Sequence, residues 1–145
     1  MRLKFCTVFL VIALVPLLSS AEEADKPEFN GAPRRFEQSQ DVTMIREHGL
    51  EARSVKNQVL VGNGRGASLP FWVHVSGENL HLCSISGIAQ RKGVRHYVYR
   101  DGACLIDIRI KGHTLVLSDV GDSCASQYCA APAVFGVRNF VEVAK

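Results

Sequence analysis

From Val55 onward, apolar and polar residues alternate in short runs separated by glycine-bearing turns. A period of two is the signature of a strand with one buried face. Residues 59–61 are apolar and run into Gly62-Asn63-Gly64-Arg65-Gly66. Over 69–75, Phe71, Val73 and Val75 share one face while Trp72 and His74 share the other. Ser76-Gly77-Glu78-Asn79 then makes a turn. Residues 80–89 follow, with a turn at Arg91-Lys92-Gly93. The short aromatic run 96–100 ends at Asp101-Gly102, a strong turn signal. The cleanest alternation spans 104–110, where Cys104, Ile106, Ile108 and Ile110 oppose Leu105, Asp107 and Arg109. Lys111-Gly112 turns into 114–117. A loop over 119–132 precedes a last strand over 134–143, with a bulge or bend at Gly136.

This pattern predicts about seven short strands. Their connections are too short for helical crossovers, so neighbouring strands are antiparallel. The expected fold is all-β, a small antiparallel sandwich or partly closed barrel. Ahead of it, residues 22–40 carry Pro27, Gly31, Pro33 and four acids in seven residues, without an apolar period. They read as a flexible N-terminal tail. Residues 41–48 suggest one or two helical turns, with Asp41 as N-cap, Val42 and Ile45 on one face and Gly49 as the stop. The single β-rich domain is therefore expected over 41–145.

The first 21 residues have the layout of a secretory signal peptide. Arg2 and Lys4 precede an uncharged apolar run, and Ser19-Ser20-Ala21 places small residues before a cut at Glu22. The run is about 14 residues, short of the ~20 that a spanning helix needs. The expected destination is the periplasm or the exterior, with no membrane span once the signal is removed. Removing 21 of 145 residues leaves 124, the length of one domain. Without Arg2 and Lys4, 15 basic residues face 14 acidic ones, a net charge of +1 in place of +3. Neither value suggests a nucleic-acid partner. Hydrophobic residues make up 47% of the chain and charged residues 21%, which excludes a disordered polymer, and no internal repeat suggests a solenoid.

Cys6 leaves with the signal. Cys83, Cys104, Cys124 and Cys129 remain, an even number that reads as two disulfides in an exported chain. In a meander, Cys83 and Cys104 begin second-neighbour strands about 9.6 Å apart, whereas bonded cysteines want Cα atoms ~4.4–6.8 Å apart. The lean is toward Cys104 bonding Cys124 or Cys129, with Cys83 taking the other. The pattern Cys83–Cys104 with Cys124–Cys129 stays open.

Candidate chemistry is sparse. Gly62-x-Gly64-x-Gly66 is followed by Leu69-Pro70-Phe71, which is strand-like, so it reads as a turn and not a phosphate-cradling loop. No G-x-S-x-G elbow surrounds any serine, and Ser84, Ser86, His81 and His96 are nucleophile or base candidates by type only. The five histidines, His48, His74, His81, His96 and His113, lack metal-ligand spacing, and Cys124-x-x-x-x-Cys129 lacks the C-x-x-C spacing of redox enzymes. No catalytic residue, metal or cofactor is assigned. Three features could bind. Arg91, Lys92, Arg95 and Arg100, interleaved with Tyr97 and Tyr99, form a basic patch for an anionic partner or a solvated hairpin tip. Trp72 is a second-face core residue or an exposed contact. The loop over 119–132 presents Tyr128 beside a cysteine, as an interface anchor or as closure of the barrel end.

Leu82-Cys83-Ser84-Ile85-Ser86-Gly87-Ile88-Ala89, Cys104-Leu105-Ile106-Asp107-Ile108 and the closing Cys124-Ala-Ser-Gln-Tyr-Cys129-Ala-Ala together resemble a loose class of small exported proteobacterial proteins of uncharacterised function. In that class the last segment often reads C-x-x-x-x-C-G-A, and Ala130 replaces the glycine. The resemblance implies no known activity. Periplasmic lysozyme inhibitors are similar in architecture but more distant. Their S-G-x-x-Y motif is missing, since Leu80 follows Ser76-Gly77-Glu78-Asn79. The expected function is an exported, non-enzymatic binding or inhibitory module acting on a protein or envelope component. The alternatives are an enzyme with a dispersed His/acid site and a structural envelope protein without a dedicated ligand.

Overall fold

The computed structural model describes residues 28–64 and 66–144. The expected signal peptide and residues 22–27 lie outside them. Eight strands run in chain order: β1 (Arg34–Arg46), β2 (Gly49–Val61), β3 (Ser68–Ser76), β4 (Leu82–Gly93), β5 (His96–Asp101), β6 (Cys104–Lys111), β7 (Thr114–Asp119) and β8 (Val137–Glu142). Each pairs antiparallel with the next, and β1 pairs with β8, so one sheet closes into a barrel. An eight-stranded ring is just wide enough for side chains to fill. Phe36, Phe71, Phe135 and Phe140, with Ile85, Ile106, Ile108, Leu115 and Leu117, fill it and are fully buried.

The alternation that predicts β6 is the alternation observed, with Cys104, Ile106, Ile108 and Ile110 inside. Three expectations change. The strand β1 replaces both the end of the expected tail, residues 34–40, and the expected helical turns, so the β-structure begins at Arg34, not at residue 41. Phe36, Val42 and Met44 point inward with period two, while Ile45 is exposed. Between them the inward positions are Gln38 and Gln40, and these polar residues hide the strand from a hydrophobic pattern. Asn57 on β2 donates to both, at 3.2 and 3.1 Å, and Arg138 on β8 donates to both as well. Ser76 N–H completes the set by donating to Asn57 Oδ1 at 2.8 Å. Buried polar groups satisfied in this way cost little. Second, β4 continues through Arg91 and Lys92, with a bulge before Gly93, so the turn falls at Val94-Arg95. Third, β8 starts only after Gly136, whose φ of +60° breaks the expected run.

One end of the ring is shut. Cys83 bonds Cys129 and Cys104 bonds Cys124. A helical turn, α1 (Ala125–Tyr128), lies between the two C-terminal cysteines of this pair of bridges. The 3-10 turn Glu78–Leu80 crosses to the free edge of β1, where Glu78 Oε2 accepts from Thr43 N–H at 2.8 Å and Asn79 Oδ1 accepts from Ile45 N–H at 2.7 Å. The β1–β2 hairpin is much longer than its neighbours and projects past this end, with Leu50 exposed near its tip. Among the described residues no helix is long and apolar enough to cross a membrane.

Candidate functional site: the open mouth of the barrel

The opposite end carries the 62–67, 94–95 and 112–113 connections and, among the described residues, has no plug of this kind. A cavity of about 670 Å³ opens there. Its floor is apolar, made by Val61, Leu69 and Ile110 around the buried ring of Tyr97, and its rim is cationic, with Arg34, Arg91, Arg95 and His113, joined by the Asn63 amide.

The rim follows from strand register. Inward positions on β4 run Cys83, Ile85, Gly87, Ala89, and the next is Arg91. On β5 they are Tyr99 and Tyr97, and one step back is Arg95. On β1, Arg34 stands one step before Phe36, and on β8 Glu142 stands one step after Phe140. Each of these four strands thus carries a charged residue one inward step past the end of the apolar core.

These charges divide into two groups. Arg34 and Glu142 form a bidentate pair, with Nε to Oε1 at 2.7 Å and Nη2 to Oε2 at 2.8 Å, and His113 Nδ1 lies 2.8 Å from Oε2. The Arg34 hydrogen bond, then that of His113, holds the Glu142 carboxyl down at about 2, and the same contact raises Arg34. Arg34 also donates to Gly112 carbonyl at 2.8 Å, which ties β1 to the β6–β7 turn. Arg91 and Arg95 form the second group. Neither makes an ion pair among the described residues. Arg91 lies over the Tyr97 ring, 5.7 Å from its centroid, with its Nη2 3.4 Å from the hydroxyl. Arg95 occupies the second turn position with φ +55°, a left-handed conformation that costs a non-glycine residue roughly 1–2 kcal/mol. Glycine 64 makes room for the Tyr97 hydroxyl, since a Cβ there would stand 3.0 Å from it.

The sequence therefore names two mouth residues, Arg91 and Arg95. The other two members of its basic patch lie elsewhere: Lys92 is exposed at the β4 bulge, and Arg100 is exposed on the outer face of β5 toward the shut end. Arg34, Asn63 and His113 are the residues that pattern reading missed. Extending each inward register one step past the last apolar residue would have found Arg34.

Tyr128 sits at the shut end. Its hydroxyl donates to Asp101 Oδ2, which also accepts from Gln127 Nε2 at 2.7 Å, and it lies 3.4 Å from the Tyr99 hydroxyl. Burial, followed by the Asp101 hydrogen bond, pushes the Tyr128 phenol well above its usual value. Trp72 lies on the outer face of β3, only 3% exposed, and stacks on His74 with ring centroids 5.5 Å apart. His96 Nε2 meets Asp107 Oδ2 at 2.5 Å on the outer wall, with Arg109 on the other carboxylate oxygen at 2.9 Å. Among the described residues no three of His, Cys, Asp and Glu converge to hold a metal ion.

No protein-family model matches the chain, and no curated protein or solved structure matches it.

Proposed function

We propose that this chain is an exported, non-enzymatic binding module that engages an anionic group of a protein or envelope component at the open mouth of its barrel. The observation that carries the reading is the pair Arg91 and Arg95, held over an apolar floor without carboxylate partners among the described residues. Like charges left together at a rim repel, and an oxyanion relieves that repulsion while accepting charge-assisted hydrogen bonds. The left-handed Arg95 supports it, because strained backbone persists where a side chain has a task. Export is supported by the signal-like N-terminus and by two disulfides, which persist in oxidising compartments.

Amide chemical-shift mapping with citrate and inorganic phosphate tests the site. Shifts confined to residues 62–64, 91–97 and 110–113 are expected. Shifts centred on 124–129 would move the site to the shut end and Tyr128, and shifts spread over the surface would remove the mouth. Mass determination after bacterial expression tests export: the recovered chain should begin at Glu22.

A further inference from the structure

We infer that the mouth takes a short acidic segment of another protein, its carboxylates held by Arg91 and Arg95 beside the Tyr97 hydroxyl. This rests on the reading of the mouth as an anion site and narrows it to one ligand class.

The shape of the mouth disfavours two competing anions, a lipid and an acidic glycan. A lipid needs somewhere to put its chains. Behind the rim the barrel is solid, with Phe36 and Val61 fully buried and Leu69 only 2% exposed, so no acyl tunnel continues inward. An acidic glycan is usually held by a sugar ring laid on an exposed aromatic face. The aromatic side chain of the mouth, Tyr97, is 5% exposed and Arg91 lies over its ring. What remains accessible is the guanidinium groups of Arg91 and Arg95 and the Asn63 amide, above an apolar floor. That set suits carboxylates carried on short aliphatic stems, as in Asp and Glu, whose methylenes can rest against the edge of Ile110. A volume near 670 Å³ is that of a small-molecule site, which admits a few residues of an extended chain and not a folded surface.

The chain has a stretch of the same chemistry in Glu22, Glu23, Asp25 and Glu28. Its described end meets the barrel on the outer wall. A Cβ at Gly62 would stand 3.1 Å from the Phe29 ring and 3.4 Å from Pro70, and Pro70 shares the outer face of β3 with Trp72. Phe29 thus lies on the outer wall, and a Cβ at Gly31 would stand 3.5 Å from the Asn63 amide at the rim, so the same test also addresses this stretch as an occupant.

The test uses the full chain and a fluorescein-labelled hexaglutamate peptide, with hexaglutamine, oligogalacturonate and vesicles of equal phosphatidylglycerol and phosphatidylcholine as comparisons. Binding of hexaglutamate alone is expected. Arg91→Gln and Arg95→Gln should each weaken it about tenfold, and the double variant Lys92→Gln/Arg100→Gln should leave it within about twofold. Neutralising the chain's own acids (Glu22→Gln, Glu23→Gln, Asp25→Asn, Glu28→Gln) should also leave it within about twofold. A tenfold gain there would show that this stretch is the occupant and overturn the assignment to a partner. Tighter, Arg95-dependent binding of the galacturonate or the vesicles would sink the peptide and leave the mouth as an anion site. Binding of hexaglutamate that is indifferent to Arg91 and Arg95, or no binding of any probe, would sink both.

Discussion

At one end of this barrel two disulfides, a 3-10 turn and a capped strand edge hold the strands in place; at the other the strands stop and leave arginines around an apolar floor. The shut end spends its polar groups on itself. Asp119 accepts from Ser123 Oγ and Cys124 N–H, and Asp101 accepts from Tyr128 and Gln127. The open end satisfies Arg34 through Glu142 and leaves Arg91 and Arg95 without an ion pair among the described residues. The contrast shows how a small domain can hold like charges at a rim: the cross-links are placed where they do not crowd the charges.

Cutting the cross-links breaks the contrast most severely. On the loop-entropy account, a bridge closing a sequence separation of 46 contributes about 4 kcal/mol and one closing 20 about 3 kcal/mol. Replacing Cys83 and Cys129 by serine should therefore cost more in a urea melt than replacing Cys104 and Cys124. Whatever folded fraction remains should keep its mouth shifts with citrate, and loss of those shifts from a folded variant would show that the ends are not independent.

Gly87→Ala strikes between the ends. A Cβ there would stand 2.4 Å from the Tyr99 ring, which packs edge-on against Phe71 at 5.1 Å and reaches toward Tyr128. Overpacking of this kind should cost about 2–3 kcal/mol, read as a lower urea midpoint. A neutral result would mean that Tyr99 can leave its place freely.

Acid should loosen the open end. The Glu142 carboxyl is depressed to about 2 in the folded chain, so its contribution is complete above the ordinary carboxylate range near 4.5 and is lost as pH falls toward 2. Melting of wild type against Glu142→Gln should differ at pH 6 and converge by pH 2. A difference that persists unchanged at pH 2 would refute the assignment.

The smallest effect sharpens the comparison most. Arg95→Gly relieves the left-handed backbone and removes a rim charge. Glycine's greater freedom in the unfolded chain offsets part of the gain, leaving a net increase of roughly 0.5 kcal/mol. A small rise in stability together with weaker anion binding would identify Arg95 as a residue kept at the expense of the turn. A fall in stability would argue that its side chain props the loop.

Much of this was legible from single strands. The alternation of β3 and β6, and the short turns along the chain, predict antiparallel neighbours strand by strand, while sandwich and partly closed barrel stay open until the ring is seen. Spacing also disfavoured a Cys83–Cys104 bond, and the pairing lies within the alternatives left open. What was hidden depends on strands that meet only when the ring closes. Gln38 and Gln40 look like solvent-facing residues until Asn57 and Arg138 supply their partners, the latter about a hundred positions away. Arg34 looks like part of a tail until Glu142 and Gly112 come alongside. Arg91 and Arg95 were visible as a basic patch, but local spacing could not separate them from Lys92 and Arg100, because inward and outward are defined by the barrel.

The ring closes where Phe36 meets Glu142 and Glu37 meets Val141, two backbone pairs against thirteen in the β1–β2 ladder. A hoop with one weak clasp opens at the clasp. Those few amides should exchange with deuterated water ahead of the neighbouring ladders, and a growing polypeptide can fasten them only after its final strand has emerged.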